Sequence, residues 1–202
     1  MRKLIVLSFI SLDGVMQAPG GQEEDTSGDF KYGGWTAPHW DEFAHETMVS
    51  QMSSGFDLLL GRKTYDIFAS YWPLPENDNG PIAASLNKAT KYVATHRPVD
   101  NNWEKTVPLG NNTVEEIKKL KAGNGPELQV HGSGNLIQTL LKHDLVDELW
   151  LKTFPVALGT GKKLFADGTI AAAFDLIESK TSPTGIIVAN YKRAGDVETG
   201  TL

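Results

Sequence analysis

No cysteine occurs among the 202 residues. That absence excludes a disulfide framework, a thiolate nucleophile and any cysteine-ligated zinc or iron-sulfur centre. Apolar runs are short, and none approaches the roughly 20 residues that span a bilayer. Met1-Arg2-Lys3 followed by Leu4 to Ile10 imitates the start of a secretory signal. The run breaks at Ser11-Leu12-Asp13-Gly14 without a small-x-small cleavage site, and its Ile and Val content suits a buried first strand. A soluble, cytoplasmic chain with no membrane partner is expected. A basic excess is also missing: 19 Lys+Arg stand against 25 Asp+Glu, a formal charge of −6. Without it the counterion-release term that drives general nucleic-acid binding is lost, so no nucleic-acid partner is expected. Internal repeats and low-complexity blocks are absent as well.

What remains is an ordinary globular composition, 40% apolar and 22% charged. A chain of this length can bury roughly 70% of its extended surface, enough for one core. One domain over residues 1–192 with a polar tail over 193–202 is expected. Strand-length apolar runs recur at Lys3 to Ile10, Phe56 to Leu60, Lys91 to Thr95, Leu128 to His131 and Leu145 to Phe154. Helical patterns lie between several of them. Asp41 to Ser54 puts Ala44, Met48 and Met52 on one stripe, Thr64 to Tyr71 does the same for Tyr65 and Phe68, and a further helix follows Gly134. Thr113-Val114-Glu115-Glu116 reads as a capping box opening a helix that stops at Gly123. Near the end, Ser182-Pro183-Thr184-Gly185 is the turn of an antiparallel hairpin. The pattern predicts an α/β fold with a mostly parallel sheet and an antiparallel edge.

Three strand ends carry anion donors. Leu58-Leu59-Leu60 runs into Gly61-Arg62-Lys63-Thr64, where unpaired helix amides meet two cations and a hydroxyl. Leu128-Gln129-Val130-His131 runs into Gly132-Ser133-Gly134-Asn135-Leu136, a second glycine turn opening a helix. Thr95-His96-Arg97 ends a third strand with groups suited to a phosphate monoester. The first glycine turn lacks the Walker A spacing, and Gly132-Ser133-Gly134 by itself could equally be a tight strand-to-helix turn. Together they point to a multiply phosphorylated ligand, best a dinucleotide, across the carboxyl edge of the sheet. The irregular segment from Ser11 to Trp40 is long enough for a lid or pocket wall, or for a loop docked by Trp35 and Trp40.

The order of these motifs resembles the dihydrofolate reductase superfamily, and more closely the reductase domain of the riboflavin-biosynthesis deaminase/reductase with its stand-alone relatives. The carrying residues are Ser11 to Val15, Leu60 to Tyr65, Thr95 to Pro98, Gly132 to Leu136, Leu145 to Leu149 running to Pro155, and Leu158 to Phe165. The likeness covers about residues 1–192. It implies a three-layer fold, mostly parallel with a C-terminal antiparallel hairpin, that binds NADPH. By that resemblance Gly61 to Thr64 and Gly132 to Leu136 hold the pyrophosphate, and Thr95, His96 and Arg97 meet the adenosine ribose phosphate. Ser11, Asp13 and Gly14 lie near the nicotinamide.

Dihydrofolate reductases carry a pterin-binding carboxylate on the first helix, and the comparable position here falls near His45. Folate is therefore not implied. Asp41 and His45, four apart on one helix face, are the candidate acid and imidazole. His45-Glu46-Thr47-Met48-Val49 has no second histidine, so no metal site is expected, and His131 and His143 read as packing or surface residues. Trp35, Trp40, Tyr71 and Trp72 could stack on a flat substrate or pack the core. The function read from all this is hydride transfer from NADPH to a small unsaturated heterocycle or carbonyl. Two rivals stand beside it: a nucleotide-binding module without turnover, and a dimerisation domain pairing chains through Leu149-Trp150-Leu151 and the hairpin. A homodimer is expected.

Overall fold

A computed structural model describes residues 1–78, 80–99 and 103–201. Its elements run β1 (Leu4–Ile10), α1 (Glu42–Met52), β2 (Phe56–Gly61), α2 (Arg62–Ala69), α3 (Pro81–Lys88), β3 (Lys91–Ala94) and β4 (Thr106–Pro108). There follow α4 (Thr113–Ala122), β5 (Glu127–His131), α5 (Gly134–Lys142), β6 (Glu148–Thr153), β7 (Ala173–Thr181) and β8 (Ile187–Gly195). One sheet takes the strands in the order β4-β3-β2-β5-β1-β6-β8-β7. β1 to β6 pair in parallel, while β8 runs antiparallel to both β6 and β7. The fold is thus the α/β architecture expected, a mostly parallel sheet closed at one side by an antiparallel hairpin.

Strand alternation divides the core between the two faces of the sheet. Leu4, Val6, Leu59, Leu128 and Val130 meet Ile117 of α4 and Leu136, Ile137 and Leu140 of α5. Leu58, Leu60, Phe56 and Val93 meet Met48 and Met52 of α1, Tyr65 of α2 and Leu86 of α3. Helices on both faces give three layers. The stripe Ala44, Met48 and Met52 is buried as its spacing predicts, and Asp41 caps α1 by accepting the Ala44 amide at 2.9 Å.

Several local expectations are corrected. The capping box at Thr113 does not form, because Asn112 is the cap and Thr113 is already helical. Its hydroxyl turns back to the Gly110 carbonyl at 3.1 Å, while Glu115 and Glu116 pair with Lys118 and Lys119. One residue of offset takes the hydroxyl out of reach of the amide it was to cap. α3 and the three-residue β4 were not foreseen. α3 starts on Pro81 directly after Gly80 with φ of 90°, a breaker followed by a favoured first helical residue. β6 lies between β1 and β8, so Leu149-Trp150-Leu151 offers no seam to a second chain, and the free edges are β4 and β7. The ladder continues to Gly195, three residues into the predicted tail, with Arg193 held by Asp144 at 2.8 Å. The tail's last residue, Leu202, lies outside the described residues. No helix among the described residues is long and apolar enough to cross a membrane.

Candidate active site

The carboxyl ends of β1, β2, β3 and β5 open into one cavity of about 690 Å³. This is the crevice where open α/β sheets seat ligands, and the volume is that of a cofactor or small-molecule site.

One end is built from two glycine turns back to back. Gly61 precedes α2 and Ser133 precedes α5, and neither helix has a side-chain cap on its first amides. The Ser133 hydroxyl instead accepts the Gly61 amide at 2.8 Å, tying the turns together. A Cβ on Gly61 would stand 3.4 Å from the Ser133 side chain, and one on Gly132, whose φ is +58°, 3.4 Å from Thr64. The two turns thus pack closely against each other, and residues of both line the same cavity, where two uncapped helix starts make a cradle of donors for an anion.

Every cation bordering that cradle already has a protein partner. Arg62 donates to Asp66 at 2.7 Å and to the Pro98 carbonyl at 2.6 Å. Lys63 and Lys162 converge on the carboxylate of Asp25, Lys162 at 2.7 Å. Burial opposes the Asp25 charge, yet hydrogen bonds from Lys162, Lys63 and Ser27 outweigh it and hold this carboxyl well below the usual range. Asp25 belongs to the long segment between β1 and α1, whose Met16 to Gly20 stretch forms the adjoining wall.

The other end is apolar. Phe9 of β1, Met48 and Met52 of α1, Phe68 of α2, Trp72 just beyond it, and Ile82 and Leu86 of α3 line it, with Ser8 and His131 as polar side chains. Behind this wall runs a buried polar network. Lys152 is fully buried, donates to the Gln51 side-chain oxygen at 2.5 Å and lies 5.7 Å from the Phe9 ring centre. Burial pushes its ammonium down to about 7.

Of the residues singled out in the sequence, Gly61, Arg62, Lys63, Thr64, His96, Gly132, Ser133, Gly134, Asn135, Leu136 and Trp72 line the cavity. The rest do not. Asp41 is spent on the α1 cap and on the Thr184 hydroxyl at 2.9 Å, and α1 turns Met48 and Met52, not His45, to the cavity. Trp35 is buried with its indole donating to the Gln17 carbonyl at 2.8 Å, and Trp40 packs edge-on against Phe9. Both dock the long segment. Ser11, Asp13 and Gly14 form the turn that opens it: Ser11 and the Leu158 and Gly159 amides donate to Asp13 and hold its carboxyl down to about 2. The Thr95 hydroxyl accepts the Arg97 amide at 3.1 Å in a local turn, leaving Arg97 exposed at the rim without an ion pair among the described residues. Sequence reasoning missed Asp25, Lys162, Ser8 and Lys152, and passed over His131 as packing. Lys162 sits inside a stretch that carried the family resemblance, whereas the others have no local signature. No cluster of three or more His, Asp or Glu fit to hold a metal occurs among the described residues.

Comparison with known proteins agrees with this architecture. A curated relative, the uncharacterized protein YyaP of Bacillus subtilis (strain 168), is 27% identical over 196 residues, covering 94% of each chain. Among solved structures, a protein with a provisional riboflavin-biosynthesis name from Shewanella sp. PV-4 superposes with a TM-score of 0.67 at 23% identity, covering 95% of this chain and 99% of that one. Dihydrofolate reductase from Enterococcus faecalis, solved with NADP(H) and the compound RAB-propyl, superposes with a TM-score of 0.58 at 16% identity, covering 95% and 96%. At these identities the structures speak for a shared dihydrofolate reductase-like fold. The family model for the RibD C-terminal domain matches residues 2–188, and with nearly the whole chain inside that match, the protein belongs to the RibD C-terminal domain family.

Proposed function

We propose that this protein is an NADPH-dependent reductase that delivers hydride to a small planar heterocycle or carbonyl compound, of pterin or pyrimidine type and not necessarily folate. The observation that carries the reading is the junction of the two cavity ends. A cradle made by two uncapped helix starts opens directly into an apolar slot, so a diphosphate and a flat ring can be held by one molecule. The likeness to an enzyme solved with NADP(H) supports the same coenzyme here.

Bound NADPH supplies the hydride; the protein supplies position and dryness. Thr64 and Gly132 to Leu136 hold the diphosphate by backbone and hydroxyl donors, Gly61 ties their two turns together through its amide, and Lys63 and Lys162 add charge. His96 and Arg97, beyond β3, meet the ribose phosphate, and Thr95 sets their turn. Ser11, Asp13 and Gly14 act one step removed, fixing the turn that opens the segment and so bringing Met16 to Gly20 against the nicotinamide. Trp72, Phe68, Phe9, Met48 and Met52 clasp the flat substrate. Asp41 and His45 have no part in the chemistry, and Trp35 and Trp40 serve the substrate only by docking the segment. The same proposal extends to a cytoplasmic homodimer: Leu176 and Ile177 are exposed on edge strand β7, and a cysteine-free chain suits a reducing compartment.

Calorimetry with NADPH and with NADH, followed by NADPH oxidation with pterin, pyrimidinone and quinone acceptors, tests the reading. Absence of heat at millimolar coenzyme removes it, and binding without oxidation favours the module that lacks turnover. Arg97→Ala should weaken NADPH about tenfold and NADH little, since only the former offers the extra phosphate. Equal losses exclude Arg97 from that role.

A further inference from the structure

His131 ends β5 at the meeting point of the two cavity ends, and its hydrogen bonding is determined by its neighbours. The Gln129 side-chain nitrogen donates to the Gln51 carbonyl at 2.9 Å and to the Glu127 carboxylate at 2.7 Å. Both partners are acceptors, so the amide can be turned only one way, with its oxygen toward His131 Nε2 at 2.9 Å. A carbonyl oxygen only accepts; the proton therefore sits on Nε2. Burial, helped by the Lys152 ammonium, pushes the ring down to about 3 and keeps it neutral. In a neutral Nε2–H imidazole, Nδ1 is a lone-pair acceptor.

The ring is buried, stacked on Phe56 at 5.9 Å with 17° between planes, and held in that plane by its Nε2 bond to Gln129. Nδ1 has no protein partner among the described residues, yet no buried side-chain nitrogen or oxygen there lacks one. The atom must therefore reach open space, and the space His131 lines is the cavity. We infer that His131 Nδ1 is a tautomer-locked acceptor that selects a ligand presenting an N–H or O–H donor where the apolar slot meets the glycine cradle. The inference rests on the reading of this cavity as a coenzyme and substrate site. It adds a specificity element: the donor comes either from the coenzyme's carboxamide or from a planar cyclic amide or imide.

Nitrogen NMR on histidine-labelled protein near neutral pH tests it, with the His131 signals assigned by their loss in His131→Phe or, if that variant does not fold, in His131→Asn. A pyridine-like Nδ1 and a protonated Nε2 are expected. The opposite tautomer or an imidazolium overturns the inference. NADPH and then uracil are titrated in, alongside a uracil methylated on both ring nitrogens. An upfield shift of Nδ1 with NADPH alone identifies the carboxamide as donor. A shift that needs uracil, with methylation weakening binding about fivefold to tenfold, identifies the heterocycle. Nδ1 unmoved by every addition overturns the inference. A uracil-induced shift in protein that takes up no NADPH upholds the acceptor while removing the reductase reading, so the two failures are distinguishable.

Discussion

At the glycine-rich end of the cavity, three partly exposed cations, Arg62, Lys63 and Lys162, are each held by acceptors of the protein itself, whereas at the apolar end one ammonium, Lys152, lies fully buried behind Phe9 with Gln51 as its partner. The first arrangement is exchangeable on the lysine side: Lys63 and Lys162 are half-exposed and flexible, so an incoming phosphate can compete with Asp25 for them. The second is fixed, because moving a buried charge or orphaning its partner costs several kcal/mol. One end is thus prepared to change partners and the other to keep a shape. Perturbations of the two ends should separate coenzyme affinity from substrate selection.

The largest effect belongs to the cradle. Gly61 has φ of −71°, which any residue adopts, but the Ser133 side chain stands 3.4 Å from where its Cβ would be. Gly61→Val should leave the backbone unstrained but crowd the Ser133 and Leu136 side chains, pushing apart the two glycine turns that form the cradle. NADPH affinity by calorimetry should fall about 100-fold, or about 2.7 kcal/mol. Unchanged affinity would place the diphosphate elsewhere and dissolve the contrast between the ends.

Next comes the buried ammonium. Lys152 is pushed down to about 7 by burial from an ordinary value of 10.5, so between those limits the unfolded chain binds a proton that the folded chain does not. Stability must then rise with pH across this window, the penalty being complete below it and gone above it. Between about pH 7 and about pH 9 the rise amounts to on the order of 2 kcal/mol. Lys91, lowered to about 8 mainly by burial and then by the Lys105 charge, contributes in the same direction. Urea unfolding of Lys152→Met should therefore show a shallower rise, not a flat one. A slope equal to that of the wild type would mean that Lys152 is not held as a buried charge.

The apolar wall should respond more mildly. Trp72→Ala removes the largest ring of the slot that is not also part of the segment's docking, and KM for an accepted heterocycle should rise about tenfold. NADPH affinity should stay within about twofold. Coupled losses in both would show that the ends are not independent.

How much of this was legible in the chain follows the same division. The cradle is written in contiguous stretches, Leu58 to Thr64 and Leu128 to Leu136, because a strand that ends in glycine and turns into a helix fixes its donors within a few residues. The sheet was legible for a similar reason, since each long strand is its own apolar run, while β4 with three residues leaves no pattern to read. The slot is different. Phe9, Met48, Trp72 and Leu86 come from three elements and a turn, and nothing near Trp35 or Trp72 in sequence says that the first docks a loop and the second faces the cavity. The capping-box reading failed by a single position, and Asp41 was read for chemistry when its position directly before α1 was itself a capping signal. The His131, Gln129, Gln51 and Lys152 network spans β5, α1 and β6, so only tertiary packing assembles it.

The smallest expected change is also the most diagnostic of exchange at the polar end. Asp25 pairs with both Lys63 and Lys162 while the long segment holds it in place through the Gln17 amide, which donates to the Asp25 and Ser27 carbonyls at 3.0 and 2.9 Å. Asp25→Asn keeps the shape of that loop and removes the competing charge, so both lysines become available to phosphate. Affinity for NADPH should improve roughly threefold to fivefold at low ionic strength, and the gain should shrink in high salt as the freed charges are screened. Stability should move the other way: the Asp25 pairing contributes above the ordinary carboxyl value of 3.8 and is lost on acidification, so the variant should be slightly less stable at neutral pH and converge with the wild type in acid. If affinity falls instead, Asp25 does not compete with phosphate but positions the lysines for it, and the polar end is as fixed as the apolar one.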